Sequence, residues 1–253
     1  MRAKALAILG STLLFAGGCS LSDLNSMDVG TAISGGADLV KAATLSDDDV
    51  KAMALSFSQS ADKQYKVAPA SSPYAKRLAK LTAKHKSEDG LKLDFKCYIS
   101  KEVNAFALAN GSIRVHSALM DMMNDQELLF VIGHEIGHVQ EGHSKNAMRT
   151  AYAASAARKG VATQSGTVAG QLATSVVGEM LEEVLNAQYS QSQESSSDAY
   201  GLNFLKKHKY NQKAAVTALR KLAKLGDESS ILQSHPAPSD RAAEIEEQIA
   251  SGK

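Results

Sequence analysis

Apolar residues recur along this chain first at helical spacing, then at every second position, then at helical spacing again. From Asp47 to Tyr65 the spacing predicts a helix, and Ser46 is placed to cap its first turn. Pro69 and Pro73 interrupt the pattern. Tyr74 to Lys86 predicts a second amphipathic helix, with Lys76, Lys80, Lys84 and Lys86 on its solvated face. The period then shortens to two, predicting strands at Leu93–Ile99, Ala105–Ala109 and Ile113–His116. Asn110-Gly111, between the last two, is a strong hairpin turn signal. Helical spacing returns after Asn124. Asn124 and Glu127 have capping-box spacing, and Leu128, Leu129, Val131, Ile132, Ile136 and Val139 supply an apolar face. Glu179–His208 predicts one long helix, and Gln212–Leu225 and Ser239–Ser251 two more, with Pro236 and Pro238 before the last. The stretch from Thr150 to Gly178 is rich in small residues. It reads as small-residue helices or a mobile lid, and Arg158 and Lys159 argue against a membrane span. The fold class expected is α+β, mainly helical, with a small three-stranded sheet beside the helix that Asn124 opens.

That helix carries His134-Glu135-Ile136-Gly137-His138. Two imidazoles four residues apart lie on one helix face, one turn apart, so both reach a single metal ion. Glu135 can sit beside a water on that ion. Two His and a Glu on a largely buried helix are costly unless something pairs with them. Gly133 and Gly137 each cost about 1 kcal/mol relative to Ala in a helix, which close backbone approach beside the ligands would explain. A catalytic zinc has three protein ligands and one open position. The run His138-Val139-Gln140-Glu141-Gly142-His143 does not place a third His at the spacing HExxHxxGxxH. The third ligand is therefore sought on a later helix. Glu194 and Asp198, four apart, share a face there. Glu194 is taken as the ligand and Asp198 as the group that orients a ligating imidazole. Glu182 and Glu183 are rivals without a carboxylate partner four residues on.

HEIGHVQEGH, followed some fifty residues later by YSQSQESSSDAYG, resembles the gluzincin metallopeptidases related to HtpX and the CAAX prenyl endopeptidase. Asn104 to Val115 resembles the strand pair that precedes the active-site helix in that family. Ser234-His235-Pro236 with Arg241 resembles its C-terminal His-Pro…Arg segment. The likeness covers about residues 45 to 250 and is greatest to the periplasmic lipoprotein members of the LoiP type. Ser195-Ser196-Ser197 departs from the usual acidic and alanine residues but keeps the ligand spacing. The resemblance implies an edge strand at Asn104, Ala105, Phe106 and Ala107 that holds an extended peptide substrate. It also implies roles for His235 and Arg241 at the oxyanion, or for His235 as a ligand that keeps the enzyme latent. His143 is expected to be structural or to stand behind a ligand; His85, His116 and His208 receive no role.

Composition adds the address. The chain has 253 residues, enough for one domain with a sizeable core. Its 28 basic and 27 acidic residues give +1, or −1 without Arg2 and Lys4 of the leader, and no basic stripe argues for nucleic acid. Arg2 and Lys4 precede a short apolar run, Ala5 to Ala16, and then Gly17-Gly18-Cys19. This resembles a bacterial lipobox, with Ala16 where Leu is usual, so residues 1–18 read as a lipoprotein signal peptide and Cys19 as the lipidated residue. Residues 19–45 read as a flexible membrane tether and 46–253 as the metallopeptidase domain. Ser20 is not an Asp retention signal, which by similarity suggests the periplasmic face of a Gram-negative outer membrane. Acylation of Cys19 leaves Cys97 alone, a small buried hydrophobe on its strand.

The expectation is a lipid-anchored, zinc-dependent endopeptidase that cleaves unfolded or misassembled envelope proteins. His134, His138 and Glu194 hold one Zn²⁺, and Glu135 is general base and acid. Two alternatives stand beside it: a non-catalytic lipoprotein chaperone with a zinc site, and a zinc hydrolase of an envelope amide other than a peptide. Structural zinc favours four protein ligands including Cys, which argues against the first.

Overall fold

The computed structural model describes residues 45–159, 174–226 and 229–252. The expected leader, Cys19, the tether up to residue 44, and residues 160–173 of the small-residue stretch lie outside them. Helix α1 (Asp47–Gln64) opens on Ser46, whose hydroxyl accepts from the Asp49 amide while the Asp49 carboxylate accepts from the Ser46 amide. Helix α2 (Pro73–Thr82) is capped by Ser72 and stops short of the expected Lys86. The chain instead turns back in a short hairpin, β1 (Ser87–Glu88) and β2 (Leu91–Lys92). Asp89 and Gly90 both take positive φ there, 45° and 84°. This is the Asp-Gly turn that pairs two strands through two left-handed residues.

Three strands follow, β3 (Asp94–Tyr98), β4 (Ala105–Ala107) and β5 (Ser112–His116), in the order β3-β5-β4. The β4–β5 pairing is the expected hairpin, antiparallel, with Phe106 opposite Arg114. Gly111 turns it at φ +82°, where a Cβ would overlap the Lys92 carbonyl oxygen. β3 runs parallel to β5. β4 is shorter than expected and forms one edge of the sheet.

The rest is helical: α3 (Ser117–Met122), α4 (Asp125–Gln140), α5 (His143–Lys159), α6 (Thr174–Leu185), α7 (Gln191–Lys207), α8 (Lys213–Leu222), α9 (Ser230–Ser234) and α10 (Pro238–Ser251). The single helix expected over Glu179–His208 is two. Ser190 begins a third capping box, after those of Ser46 and Asn124, with its hydroxyl on the Gln193 amide and the Gln193 side chain on the Ser190 amide. That box starts α7 afresh, one turn before Glu194.

The sheet separates two apolar cores. Ala105, Ala107, Ile113, Val115 and Cys97 join α4, α7, α8 and α10 on one side. Tyr98, Phe106 and Leu108 join α1, α5 and α6 on the other. Cys97 is buried, as expected, and burial pushes its thiol up to about 11. Every residue from Glu127 to Val139 is buried, so α4 is enclosed on all sides and its polar groups face protein. Glycines let α7 lie close against it. A Cβ on Gly133 would stand 2.9 Å from Phe204 Cδ1, and one on Gly137 3.0 Å from Ser197 Cα. That close approach offsets the helix propensity lost at both positions and sets the ligand faces of α4 and α7 opposite each other.

Candidate metal centre

Asn124 caps α4 as its sequence suggests, accepting from the amides of Gln126 and Glu127, while Glu127 accepts from the Asn124 amide. Three turns along, His134 and His138 point the same way, their Nε2 atoms 3.0 Å apart. Glu194, in the first turn of α7, brings Oε1 to 3.2 Å from His138 Nε2 and Oε2 to 3.7 Å from His134 Nε2. His235 comes from the end of α9. Its Nδ1 lies 3.0 Å from Glu194 Oε1 and 3.3 Å from His134 Nε2. All four side chains are buried and their ligand atoms converge on one point. Three imidazole nitrogens facing each other offer more lone pairs than protons. A cation satisfies all of them at once, and two imidazoles with one carboxylate are a donor set suited to catalytic zinc. The residues fit the metal their sequence implies.

The groups behind the ligands fix their orientation. Asp198, one turn after Glu194, places Oδ1 2.8 Å from His134 Nδ1, which turns Nε2 toward the centre. Arg241, in the first turn of α10, holds Asp198 with two hydrogen bonds of 2.7 Å, from Nε and Nη2. Its Nη1 ion-pairs with Glu194 Oε2. His143 Nδ1 stands 3.2 Å from His138 Nδ1 and 3.3 Å from the Ser197 hydroxyl, the place behind a ligand anticipated for it. Sequence reasoning missed Tyr189. Its ring stacks on His138 at 3.8 Å and 25°, and its amide donates to the Ser234 carbonyl at 3.1 Å. Nothing at the residue before a helix cap signals this in advance.

Charge follows the geometry. Burial pulls the His138 imidazole well below its usual range despite the Glu194 contact, leaving it neutral as a ligand must be. Burial would raise the Glu194 carboxyl, but His235, His134 and His138 together hold it far below the usual carboxylate range. Burial opposes ionisation of Asp198 too, and Arg241 outweighs it. At His235 burial lowers the imidazole, and Glu194 with Glu135 reverses the sign. Glu135 is buried, its Oε1 3.6 Å from His235 Nε2.

The edge strand lies beside α4. Phe106 is a hydrogen-bonded partner of Arg114 in the hairpin register, since Asn104 and Leu108 pair with His116 and Ser112. The backbone groups of Ala105 and Ala107 therefore point outward, with no backbone partner among the described residues. The side chains of Ala105, Phe106 and Ala107 are buried, and Asn104 is half-buried.

An HExxH helix that faces a carboxylate from a second helix defines a metallopeptidase of the gluzincin kind. The profile of Peptidase family M48 matches residues 71–249, and the chain belongs to that family. It is 42% identical over 253 residues to Metalloprotease YcaL of Escherichia coli K12, covering 99% of this chain and 98% of that one. It is 39% identical over 254 residues to Metalloprotease LoiP of the same organism, with the same coverage. The Beta-barrel assembly-enhancing protease of E. coli K12 is 30% identical over 164 residues, 56% of this chain and 31% of its own. The protein is thus an M48 metalloprotease with a buried His134–His138–Glu194 site, and its substrates are peptides. No helix among the described residues is long and apolar enough to cross a membrane.

Proposed function

We propose that the protein is a zinc-dependent endopeptidase of the bacterial envelope, anchored by lipid on Cys19 at the periplasmic face of the outer membrane, that clears unfolded or misassembled proteins. The observation that carries the catalytic part is the convergence of His134, His138 and Glu194 with Glu135 buried beside them. The lipobox-like Cys19 and the full-length likeness to LoiP and YcaL support the address. When bound, zinc supplies Lewis acidity toward a peptide carbonyl and acidifies water. Glu135 takes the proton from the attacking water and delivers it to the leaving amine. Asp198 keeps His134 in the ligating tautomer. The guanidinium of Arg241, expected at the oxyanion, is directed at Asp198 and Glu194. Its proposed part is to position both carboxylates.

His235 stands among the ligands in this conformation, within 3.3 Å of His134 Nε2. With a metal bound it would be placed as a fourth donor, keeping the site latent until it withdraws. Its Nε2 lies 3.6 Å from Glu135 Oε1 in this conformation, and after displacement it would serve as a donor to the oxyanion. The outward backbone groups of Ala105 and Ala107, with Asn104 and Phe106 beside them, pair with an extended substrate.

Zinc content and casein hydrolysis of the full chain test the catalytic reading, wild type beside Glu135→Gln. Equal zinc content in both, hydrolysis in wild type alone and its loss to chelator are expected. Equal hydrolysis by both removes Glu135 from the mechanism, and no metal in either removes the ligand assignment. For the address, Cys19→Ala is expected to move the protein from the membrane to the soluble periplasmic fraction.

A further inference from the structure

Far along α7 from Glu194, a second set of metal-type side chains meets. We propose that His85, Glu88 and His208 form a second divalent-cation site, distinct from the catalytic centre. His85 comes from the turn after α2, Glu88 from β1 and His208 from the C-terminal cap of α7. His85 and Glu88 are almost wholly buried and His208 partly so. Glu88 Oε1 is 2.7 Å from His85 Nδ1 and 2.9 Å from His208 Nε2. The two imidazoles meet edge to face, centroids 4.5 Å apart. This is again two imidazoles and a carboxylate, the donor types gathered by His134, His138 and Glu194, at comparable spacing.

Three details point to an ion rather than a salt bridge. His208 Nε2 is buried and close to Glu88 Oε1 but poorly aligned for a hydrogen bond. Nitrogen and oxygen that approach side by side are placed like two ligands of one ion. His85 Nε2 meets the Tyr210 hydroxyl at 2.9 Å. A hydroxyl accepts as well as donates, so Nε2–H can donate to Tyr210 and leave Nδ1 to a metal, as an outer hydrogen bond does for ligating histidines. Charge also allows it. Lys207 binds Glu88 Oε2 at 3.0 Å and Asp89 at 2.8 Å, so the three ionised groups sum to −1 and a divalent ion meets a negative site. With Oε2 held by Lys207, Glu88 ligates through Oε1 alone. Imidazole with carboxylate suits a borderline first-row cation, zinc first, over calcium or magnesium.

Such an ion would tie the β1–β2 hairpin to α7. The Phe204 ring packs against both imidazoles, 4.7 Å and 4.8 Å between centroids, and its edge lies where a Cβ on Gly133 would be. The site therefore braces the packing of α7 on α4 from the end opposite the catalytic ligands.

The test is Zn²⁺ and Co²⁺ stoichiometry of the full chain after metal stripping, followed by calorimetry and by cobalt absorption. Wild type is expected to bind two equivalents, His208→Gln one, and the double variant His134→Gln/His138→Gln one. His208 is partly exposed, so its replacement leaves the fold intact, and a thermal melt checks that. The double variant isolates the second site and separates its failure from failure of the catalytic assignment. One equivalent in wild type, unchanged by His208→Gln, overturns the proposal. So does a double variant that binds none.

Discussion

Two ionic clusters in this molecule, one partly and one wholly buried, are built on opposite rules. The first surrounds Arg114, which is 1% exposed. Its Nε and Nη2 donate to the two oxygens of Asp62 at 2.9 and 3.2 Å, and Nη1 donates to the Asp94 carbonyl. Tyr98 donates to Asp62 at 2.7 Å and Lys96 at 2.6 Å. Every donor there meets an acceptor, and the cluster is closed. The second surrounds His134, His138, Glu194 and His235, where nitrogen faces nitrogen at 3.0 and 3.3 Å. Its groups compete for too few protons. A buried polar cluster that satisfies itself is a structural joint, whereas one that cannot is shaped for something it lacks.

The comparison breaks most visibly at Glu194. Glu194→Ala removes the one anionic ligand and leaves the imidazoles without their counter-charge. We expect loss of the metal held by this cluster and of measurable peptide hydrolysis, read by metal analysis and a fluorogenic peptide. A chelator should destabilise wild type by about 2.7 kcal/mol for an ion present at a hundred times its Kd. The same chelator should move the melting of Glu194→Ala less, by the share that belongs to the catalytic cluster. Equal shifts would mean that the catalytic cluster is not where the stabilising metal binds.

Asp198 gives a smaller and more selective effect. Asp198→Asn keeps an acceptor for His134 but loses the charge that Arg241 grips. Metal affinity should fall on the order of 10- to 100-fold, the usual cost of a lost partner behind a ligand. A calorimetric titration with unchanged affinity would reduce Asp198 to a spectator. If affinity falls but saturating zinc restores hydrolysis, its role is to position the ligand.

Much of this contrast was legible in the sequence because its signals are local. HExxH on an apolar helix brings two imidazoles and a glutamate together by spacing alone, and Asn124-x-x-Glu127 marks where that helix starts. Glu194 and Asp198 were found from their shared face. The long helix expected around them was wrong, because the Ser190–Gln193 box restarts the chain there. That box could have been read, and so could Asp89-Gly90, the turn of the hairpin that follows α2. Tyr189 on His138 and the Asp62–Arg114 joint carry no such signal. Asp62 and Arg114 lie 52 residues apart and meet only when α1 packs on the sheet. Nor does spacing show that His235 enters the ligand cluster 101 residues after His134, a place the family resemblance alone anticipated.

The closed cluster should yield the smallest effect, and one of a different kind. Asp62→Asn removes the charge that Lys96, Arg114 and Tyr98 share but keeps most of the shape. Loss of these charge-assisted bonds should cost about 1–3 kcal/mol of stability in urea unfolding, with metal content and hydrolysis unchanged. Its pH dependence has a definite sign. Burial would raise the Asp62 carboxyl, but hydrogen bonds from Lys96, Tyr98 and Arg114 outweigh it, and the net shift is down. A carboxyl lowered in the folded state stabilises above its unfolded value of about 3.9, and that contribution fades as pH falls through the folded value. The gap between wild type and Asp62→Asn should therefore be full at pH 7 and narrow steadily below about pH 4. A gap that stays constant through the acid range would mean that Asp62 acts by packing and not by charge. A gap accompanied by lost zinc would mean that the two clusters are coupled through the sheet, and the division between joint and site would not hold.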